Sequence, residues 1–485
     1  MPALSGLRMY SVNELRDAIL AARFETSNFG EMPQPDTLYI PPNHVKALRL
    51  EANIVIGARG VGKSFWTGAL SSPSLRELLG TTVRELDRAE VRVGFSVKET
   101  IEDYPNADGF AQMLKAGIDA YDIWRAVIVR WLAASVGEDI PVERWFDTVN
   151  WIRENPENAA RLIRRAHHQF DQGDRFGLIV FDALDRTSDN WEAMDLIARG
   201  LLKAALWLKS YPRLHAKVFM REDQLDRTVT SFADASKLLA TKAELTWERH
   251  DLHGMLWQRL VNAPGSNGGL IRELYFTVTG EHLSEGSYGA YLLPDALKRE
   301  SSIQRRLFEA LAGEWMGKDP RRGVPYTWAV GHLADGRGQT SPRSFLAAIH
   351  QAADDSRQRY PDHRFALHYE SIKRGIQEAS KIRVTEMAED YPWVREFLGA
   401  LRGLNVPCAY DLIRDRWRDR FPQGPASART QRLPAQHADL GWEGVRDDCI
   451  RLGVLEMKRD RRMDMPDLYR VGFGLGRKGG VKPKN

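Results

Sequence analysis

Cysteine is nearly absent: Cys408 and Cys449 are the only two in 485 residues. Two thiols in so long a chain give no disulfide framework and no CxxC metal pair, and a reducing, cytoplasmic setting is expected. Long apolar runs are missing as well. The longest, Ile123 to Val136, is broken by Arg125 and Arg130, short of the ~20 residues a membrane helix needs, and reads as a buried helix. The first twenty residues carry Glu14, Arg16 and Asp17 and no cleavable apolar core, so no signal peptide is expected. An excess of one charge is lacking too. With 69 basic against 65 acidic residues the net charge is +4, which excludes a polycation built as a whole for nucleic acid. What remains, 43% hydrophobic and 28% charged, is the composition of a globular protein, and the length calls for about two to four domains.

Four segments are distinguished. Residues 1–50 hold a short amphipathic helix, Val12 to Phe24, capped by Ser11, and then a proline-containing linker. Residues 51–250 alternate short apolar runs with longer amphipathic stretches. The runs are Asn53–Ile56, Val91–Phe95, Gly177–Phe181, Ala216–Met220 and Ala243–Trp247. Rich in branched residues, they suit strands of a mainly parallel α/β sheet covered on both faces. Residues 251–405 are dominated by helical patterns, expected as a helical lid. Residues 406–485 read as a winged-helix-like module, in which a helix pair ending near Leu452 precedes two strands, Val454–Lys458 and Met463–Tyr469, around the turn Arg459–Arg462.

The strongest motif is Gly57-Ala58-Arg59-Gly60-Val61-Gly62-Lys63-Ser64, which matches G-x-x-x-x-G-K-[ST] throughout and lies between a strand-like and a helix-like segment beginning at Phe65. Its glycines let backbone N–H groups point inward at phosphates beside a helix N-terminus. Lys63 supplies a point charge, and Ser64 a hard oxygen for Mg²⁺. Leu178-Ile-Val-Phe-Asp182 ends a strand in a carboxylate, the second expected metal ligand. The pattern implies a P-loop NTPase fold whose ligand is a nucleoside triphosphate with Mg²⁺.

Phe181-Asp-Ala-Leu-Asp-Arg186 resembles the Walker B region of the bacterial STAND/KAP-like, AAA+-related P-loop ATPases. Lys217–Asp223 is similar to their next strand, ending in a polar sensor-like residue, and Glu244–Glu248 to their last. Ser341-Pro-Arg-Ser-Phe345 resembles the proline–arginine step of their lid. The resemblance covers residues 50–350. It implies an ATP-dependent molecular switch, self-association into a homo-oligomer, a separate effector protein and a place in antiviral defence. One position departs from the family: the second acid that orients the attacking water is replaced by Ala183, and Asp185 is the substitute expected to polarise it, with slow turnover. Among Arg59, Arg186, Arg221 and Arg343, the family's use of these regions to sense the γ-phosphate favours Arg221 and Arg343 as catalytic partners; a surface salt bridge is the competing role for each.

Other features carry less. His167 and His168, being adjacent, face different ways on a helix, and no H-E-x-x-H is present. Trp66, Trp124, Trp131, Trp145 and Trp151 fall in helix-like stretches and are expected in the core. Arg459, Arg461 and Arg462 at the wing tip, with Arg470, Arg477, Lys478, Lys482 and Lys484 in an acid-free tail, leave three roles open: DNA-backbone contact, an internal part of a switch, or a solvated terminus. A DNA-binding ATPase acting through this module is the alternative to the switch. A nucleotide-binding scaffold without turnover is a third reading, from Ala183.

Overall fold

A computed structural model describes residues 11–24, 32–225, 227–427, 434–478 and 481–483. The chain divides into two compact units: a sheet unit containing residues 40–246, and a helical unit containing residues 247–485 together with the N-terminal helix. Among the described residues no helix is long and apolar enough to cross a membrane.

The sheet unit is built on five strands, all parallel: β1 (Ile54–Ile56), β2 (Ala89–Phe95), β3 (Phe176–Phe181), β4 (Leu214–Met220) and β5 (Ala243–Glu244). They match the five apolar runs of the sequence, and their order across the sheet is β2-β3-β4-β1-β5. β1 is buried throughout and β3 nearly so, as strands covered on both faces must be. The helix Ala120–Val136 packs against Pro156–Gln172 and Trp191–Leu208, and the last of these also lies on β4. It is the expected buried helix. Its two arginines survive burial by stacking: Arg125 lies over the rings of Tyr121 and Trp207, and Arg130 over Trp145 at 3.6 Å, with Nε donating to Thr148 Oγ1. Trp66, Trp124, Trp131 and Trp145 are buried, as core residues should be, whereas Trp151 is only half-buried against the core's edge.

Residues 42–52 lead into β1 and are fastened by Lys217, a wholly buried residue of β4. Its Nζ donates to the carbonyls of Ala47 (2.7 Å), Arg49 (2.9 Å) and Ala52 (2.9 Å). Three accepted protons are what an ammonium needs once water is gone. This strand-borne lysine gave no sequence signal distinguishing it from a solvated one.

In the helical unit, Val12–Ala21 begins with a full capping box, Ser11 with Glu14. It packs on Ser266–Thr279 and Pro342–Arg359, where Arg16 donates to the carbonyls of Tyr360, Pro361, Phe365 and Ala366. Pro342–Arg359 and Tyr369–Asp390 pack along one another. They approach so closely at Gly375 that a Cβ there would stand 2.1 Å from the Ala348 carbonyl oxygen.

The C-terminal helix pair is present as Tyr410–Arg420 and Gly441–Arg451, followed by the antiparallel hairpin β6 (Glu456–Met457) and β7 (Met463–Asp464). Cys408 bridges to Met463 on the hairpin, and Trp417 stacks on Trp442 within a ring that includes Phe397 and Phe421. Two expectations need correction. The second strand does not run to Tyr469. Pro466 has no amide to donate to a ladder and instead caps a helix, Asp467–Phe473. Nor is the tail a free basic arm. Arg470 is wholly buried and donates to Asp467, Leu475 and Val481, and Arg477 pairs with Asp464 and Asp467. Gly479, Gly480 and Lys484 of that tail lie outside the described residues.

His44 and His253, two of the buried histidines, contribute a pH dependence to the fold. His44 accepts at Nδ1 from Trp66 and meets the Thr246 carbonyl through Nε2; burial pushes it down to about 4. His253 meets the Tyr326 carbonyl and is pushed by burial to about 3. Both values lie below the ordinary 6.5, so between that pH and the depressed values the unfolded chain binds more protons than the folded one. Stability is therefore expected to fall as pH drops from 6.5 toward 4, by roughly 1–3 kcal/mol per histidine. Thermal melting at pH 7, 6 and 5 checks this; a midpoint flat across the series would mean that the imidazoles are not held neutral.

Candidate functional site

β1 delivers the chain into the glycine loop. The amide of Gly57 still bonds to the Met220 carbonyl of β4 at 3.1 Å, so the loop starts from a fixed rail. Gly60 and Gly62 adopt φ of 81° and 107°, values only glycine takes without strain. Gly57 is small for a different reason: a Cβ there would lie 2.5 Å from Val61 Cγ2 and 3.3 Å from Leu245 Cβ. The loop closes on itself and enters the helix Lys63–Ser71. Its first-turn amides have no carbonyl a turn earlier to bond, and with the helix dipole they form a ready cradle for an anion. Phe65 lies on that first turn, edge-on to Trp66.

Lys63 Nζ donates to the carbonyls of Gly57 (2.8 Å) and Ala58 (3.0 Å), holding the charge within the loop. Burial pushes it down to about 8, against the pull of Asp182. Ser64 Oγ donates to Asp182 Oδ2 at 2.7 Å, across 118 positions of sequence. That contact follows from register. Val218 of β4 stands opposite Ile54 of β1 on one side and Phe181 of β3 on the other, so the segments after β1 and β3 leave the sheet at the same end. Burial raises the Asp182 carboxyl, while the Ser64 bond and the Lys63 charge restrain the rise.

Beyond Asp182 the chain turns sharply. Ala183 has φ 57° and ψ 36°, left-handed backbone that costs a non-glycine residue about 1 kcal/mol. The residue standing where the resemblance expects a second acid is thus the pivot of the turn. The turn Leu184–Arg186 carries Asp185 into the cluster, with Arg186 exposed at its end. Arg221, directly after β4, lies between two carboxylates: Nη1 is 3.7 Å from Asp185 Oδ2 and Nε is 3.5 Å from Asp223 Oδ1. Burial works to raise Asp185, but Arg221, its own backbone amide, Lys63 and Arg186 outweigh it and hold the carboxyl below the usual range.

The sheet unit therefore brings together Gly57–Phe65, Asp182, Asp185 and Arg221. Arg343 belongs to the helical unit, where it follows the Ser341 cap of Pro342–Arg359 and its Nη1 donates to Glu386 at 2.7 Å. Asp223 was not singled out in the sequence, although its spacing from Arg221 could have suggested it. His44 gave no local signal at all. A strand, the eight-residue glycine loop and a helix, with an acid-ended strand on the far side of one intervening strand in a parallel sheet, constitute a P-loop NTPase fold.

No family model and no curated protein matches the chain. Among solved structures it is similar to the ORC2 protein of Aeropyrum pernix in its ADPNP–ADP complexes, at 12% identity over 89% of this chain and 92% of that one, with a TM-score of 0.41. The ADP form of the same protein matches at 12% identity over 93% of each chain, with a TM-score of 0.33. Likeness at these scores carries no functional argument, so what the site does is read from its own geometry.

The tightness of the loop is testable without any ligand. Gly57→Ala is expected to force Val61 aside and cost about 1–3 kcal/mol, read as a lower thermal midpoint. A variant that melts with the wild type would show that the loop has slack that its 2.5 Å contact denies.

Proposed function

We propose that this protein binds ATP with Mg²⁺ in the P-loop and hydrolyses it slowly, as a nucleotide-controlled switch of the STAND/KAP-like kind. The observation that carries the reading is the hydrogen bond from Ser64 Oγ to Asp182 Oδ2. A hydroxyl and a carboxylate from distant parts of the chain converge beside a lysine and a helix N-terminus. The pair is a set of hard oxygen donors suited to Mg²⁺, which takes few protein ligands and completes its shell with phosphate and water. Ser64 and Asp182 would hold it, and when bound it supplies positive charge to the β- and γ-phosphates.

The remaining work falls to the chain. Amides of the loop and first helical turn receive phosphate oxygens, and Lys63 exchanges its loop carbonyls for them. In hydrolysis a water oxygen bonds to the γ-phosphorus as the bond to the β–γ bridging oxygen breaks. Asp185 orients that water, and the proton ends on a phosphate oxygen. A carboxylate held below its usual range by Arg221 is a weak base, which accords with slow turnover. Arg221 stabilises charge gathering on the transferred group. Arg343 is proposed to act on the γ-phosphate only after leaving Glu386. Self-association, a separate effector and a role in antiviral defence belong to this reading; all three derive from the family resemblance.

Three substitutions separate the roles. Lys63→Ala is expected to abolish ATP binding in a titration. Asp182→Asn should retain nucleotide but lose at least tenfold in Mg²⁺-dependent turnover, and Asp185→Ala should slow turnover by about 10²-fold. Hydrolysis at the wild-type rate in Asp185→Ala would remove that residue from the mechanism.

A second reading is DNA contact through the C-terminal module, favoured by the exposed Arg459 and Arg461 at the hairpin turn. Against it, the helix Gly441–Arg451 turns Glu443 and Asp447 to solvent, and Arg462 is engaged by Asp460. Duplex binding that weakens with salt and is lost in an Arg459→Ala, Arg461→Ala variant would support it; no binding at low salt excludes it.

A further inference from the structure

His44 lies outside every motif yet touches the P-loop helix directly. It closes a short helical turn, Pro42–His44, that begins on the second of two consecutive prolines, and the segment after it is held by Lys217 at Ala47, Arg49 and Ala52. Its backbone is therefore a fixed platform. From there the imidazole reaches two places. Trp66 Nε1 donates to Nδ1 at 3.1 Å, so the ring proton resides on Nε2, which donates to the Thr246 carbonyl at 3.0 Å. His44 is 0% and Trp66 1% exposed, and their rings meet edge-on with centroids 5.8 Å apart.

The two ends of this relay matter to the site. Trp66 follows Ser64 by two residues, about half a turn round the helix, so its anchorage sets the rotation at which Lys63 and Ser64 face the loop. Thr246 is the last residue of the sheet unit before the chain passes into the helical unit at Trp247. A leucine or phenylalanine could fill the same buried volume. Neither could accept from Trp66 and donate to Thr246, as a neutral imidazole does from its two ring nitrogens, which makes the connection directional and rigid.

We propose that His44 is a positioning residue for the P-loop: through Trp66 and Thr246 it ties the nucleotide-binding helix to the point at which the chain leaves the sheet unit, so that seating a triphosphate is felt at residues 245–247. The proposal rests on the reading that the P-loop binds ATP. A shorter path exists beside it, since the Leu245 amide bonds to the Ile56 carbonyl at 2.8 Å, and the test must separate the two.

Two near-isosteric variants do so. His44→Asn keeps an acceptor for the Trp66 indole but does not reach Thr246; His44→Gln reaches Thr246 and offers no acceptor near Trp66. Hydrogen–deuterium exchange of the full chain, with and without ATP and Mg²⁺, is read over residues 57–66 and 243–248. In the wild type both segments are expected to gain protection. In each variant residues 57–66 should remain protected while the gain over 243–248 drops by at least half, and ATP affinity should weaken about three- to tenfold, the loss of one buried hydrogen bond. Wild-type protection over 243–248 in both variants would assign the signal to the Leu245–Ile56 path and overturn the role of His44, as would protection confined to 57–66 in the wild type. A wild type with no protection over 57–66 and no ATP binding overturns the nucleotide reading instead.

Discussion

The hydrogen bond between Ser64 and Asp182 is a consequence of strand register, and the rest of the site is arranged around it. β4 stands between β1 and β3 and pairs with both through the same residue, Val218. Parallel pairing leaves no freedom to choose which end of the sheet the two following segments use. Both emerge together, and the helix that follows β1 presents a hydroxyl where the segment after β3 presents a carboxylate. A slip of one residue in either pairing would reverse the faces and separate the two groups. The apolar content of β1 and β3, buried on both sides, is what fixes that register.

Charge in the site is governed by a contest between desolvation and pairing. Lys63 and Asp182 are each pushed toward neutrality by burial, and each restrains the other. Asp185 feels the same burial but lies beside Arg221, and pairing wins. The two acids therefore differ in kind, although they are three residues apart: one has a raised affinity for protons and bonds a hydroxyl, the other stays ionised against a guanidinium. A triphosphate entering such a cluster would meet lysine and arginine already held by neighbours. Exchange of partners, rather than fresh neutralisation of free charge, is the event that binding sets off.

The helical unit uses its basic residues chiefly as struts. Arg16 satisfies four carbonyls around the end of Pro342–Arg359, Arg470 satisfies Asp467 and two carbonyls, and Arg477 joins two acids. A planar guanidinium with five donors suits this task, since buried carbonyls left by irregular chain turns cannot otherwise find protons. The C-terminal module is fastened to the neighbouring helices in the same way, by His332 to Asp467, Ser380 to the Leu468 carbonyl and Arg383 to the Tyr469 hydroxyl. Such anchorage suits a fixed part of a larger body better than a mobile reading head.

Much was legible in the linear sequence because it was local. The glycine loop, the five apolar runs, the capped N-terminal helix and the carboxylate ending β3 all show in contiguous residues whose spacing reflects backbone geometry, and each is found where the pattern put it. The second hairpin strand stops short of Tyr469 because Pro466 cannot donate to a ladder and starts a helix instead. A solvated tail stayed among the open readings because composition cannot show that Arg470 and Arg477 face Asp467. His44 and Lys217 were invisible for one shared reason: each acts on partners from other segments, and an isolated buried polar residue has no periodic signature. The sequence by itself determined the glycine loop between a strand and a helix, and the apolar strand that ends in Asp182, since each is a contiguous pattern set by local backbone geometry. Tertiary structure alone decided how those groups are held, which acid pairs with which arginine, and that a histidine twenty residues upstream fixes the helix, because desolvation and long-range hydrogen bonding are properties of the packed interior.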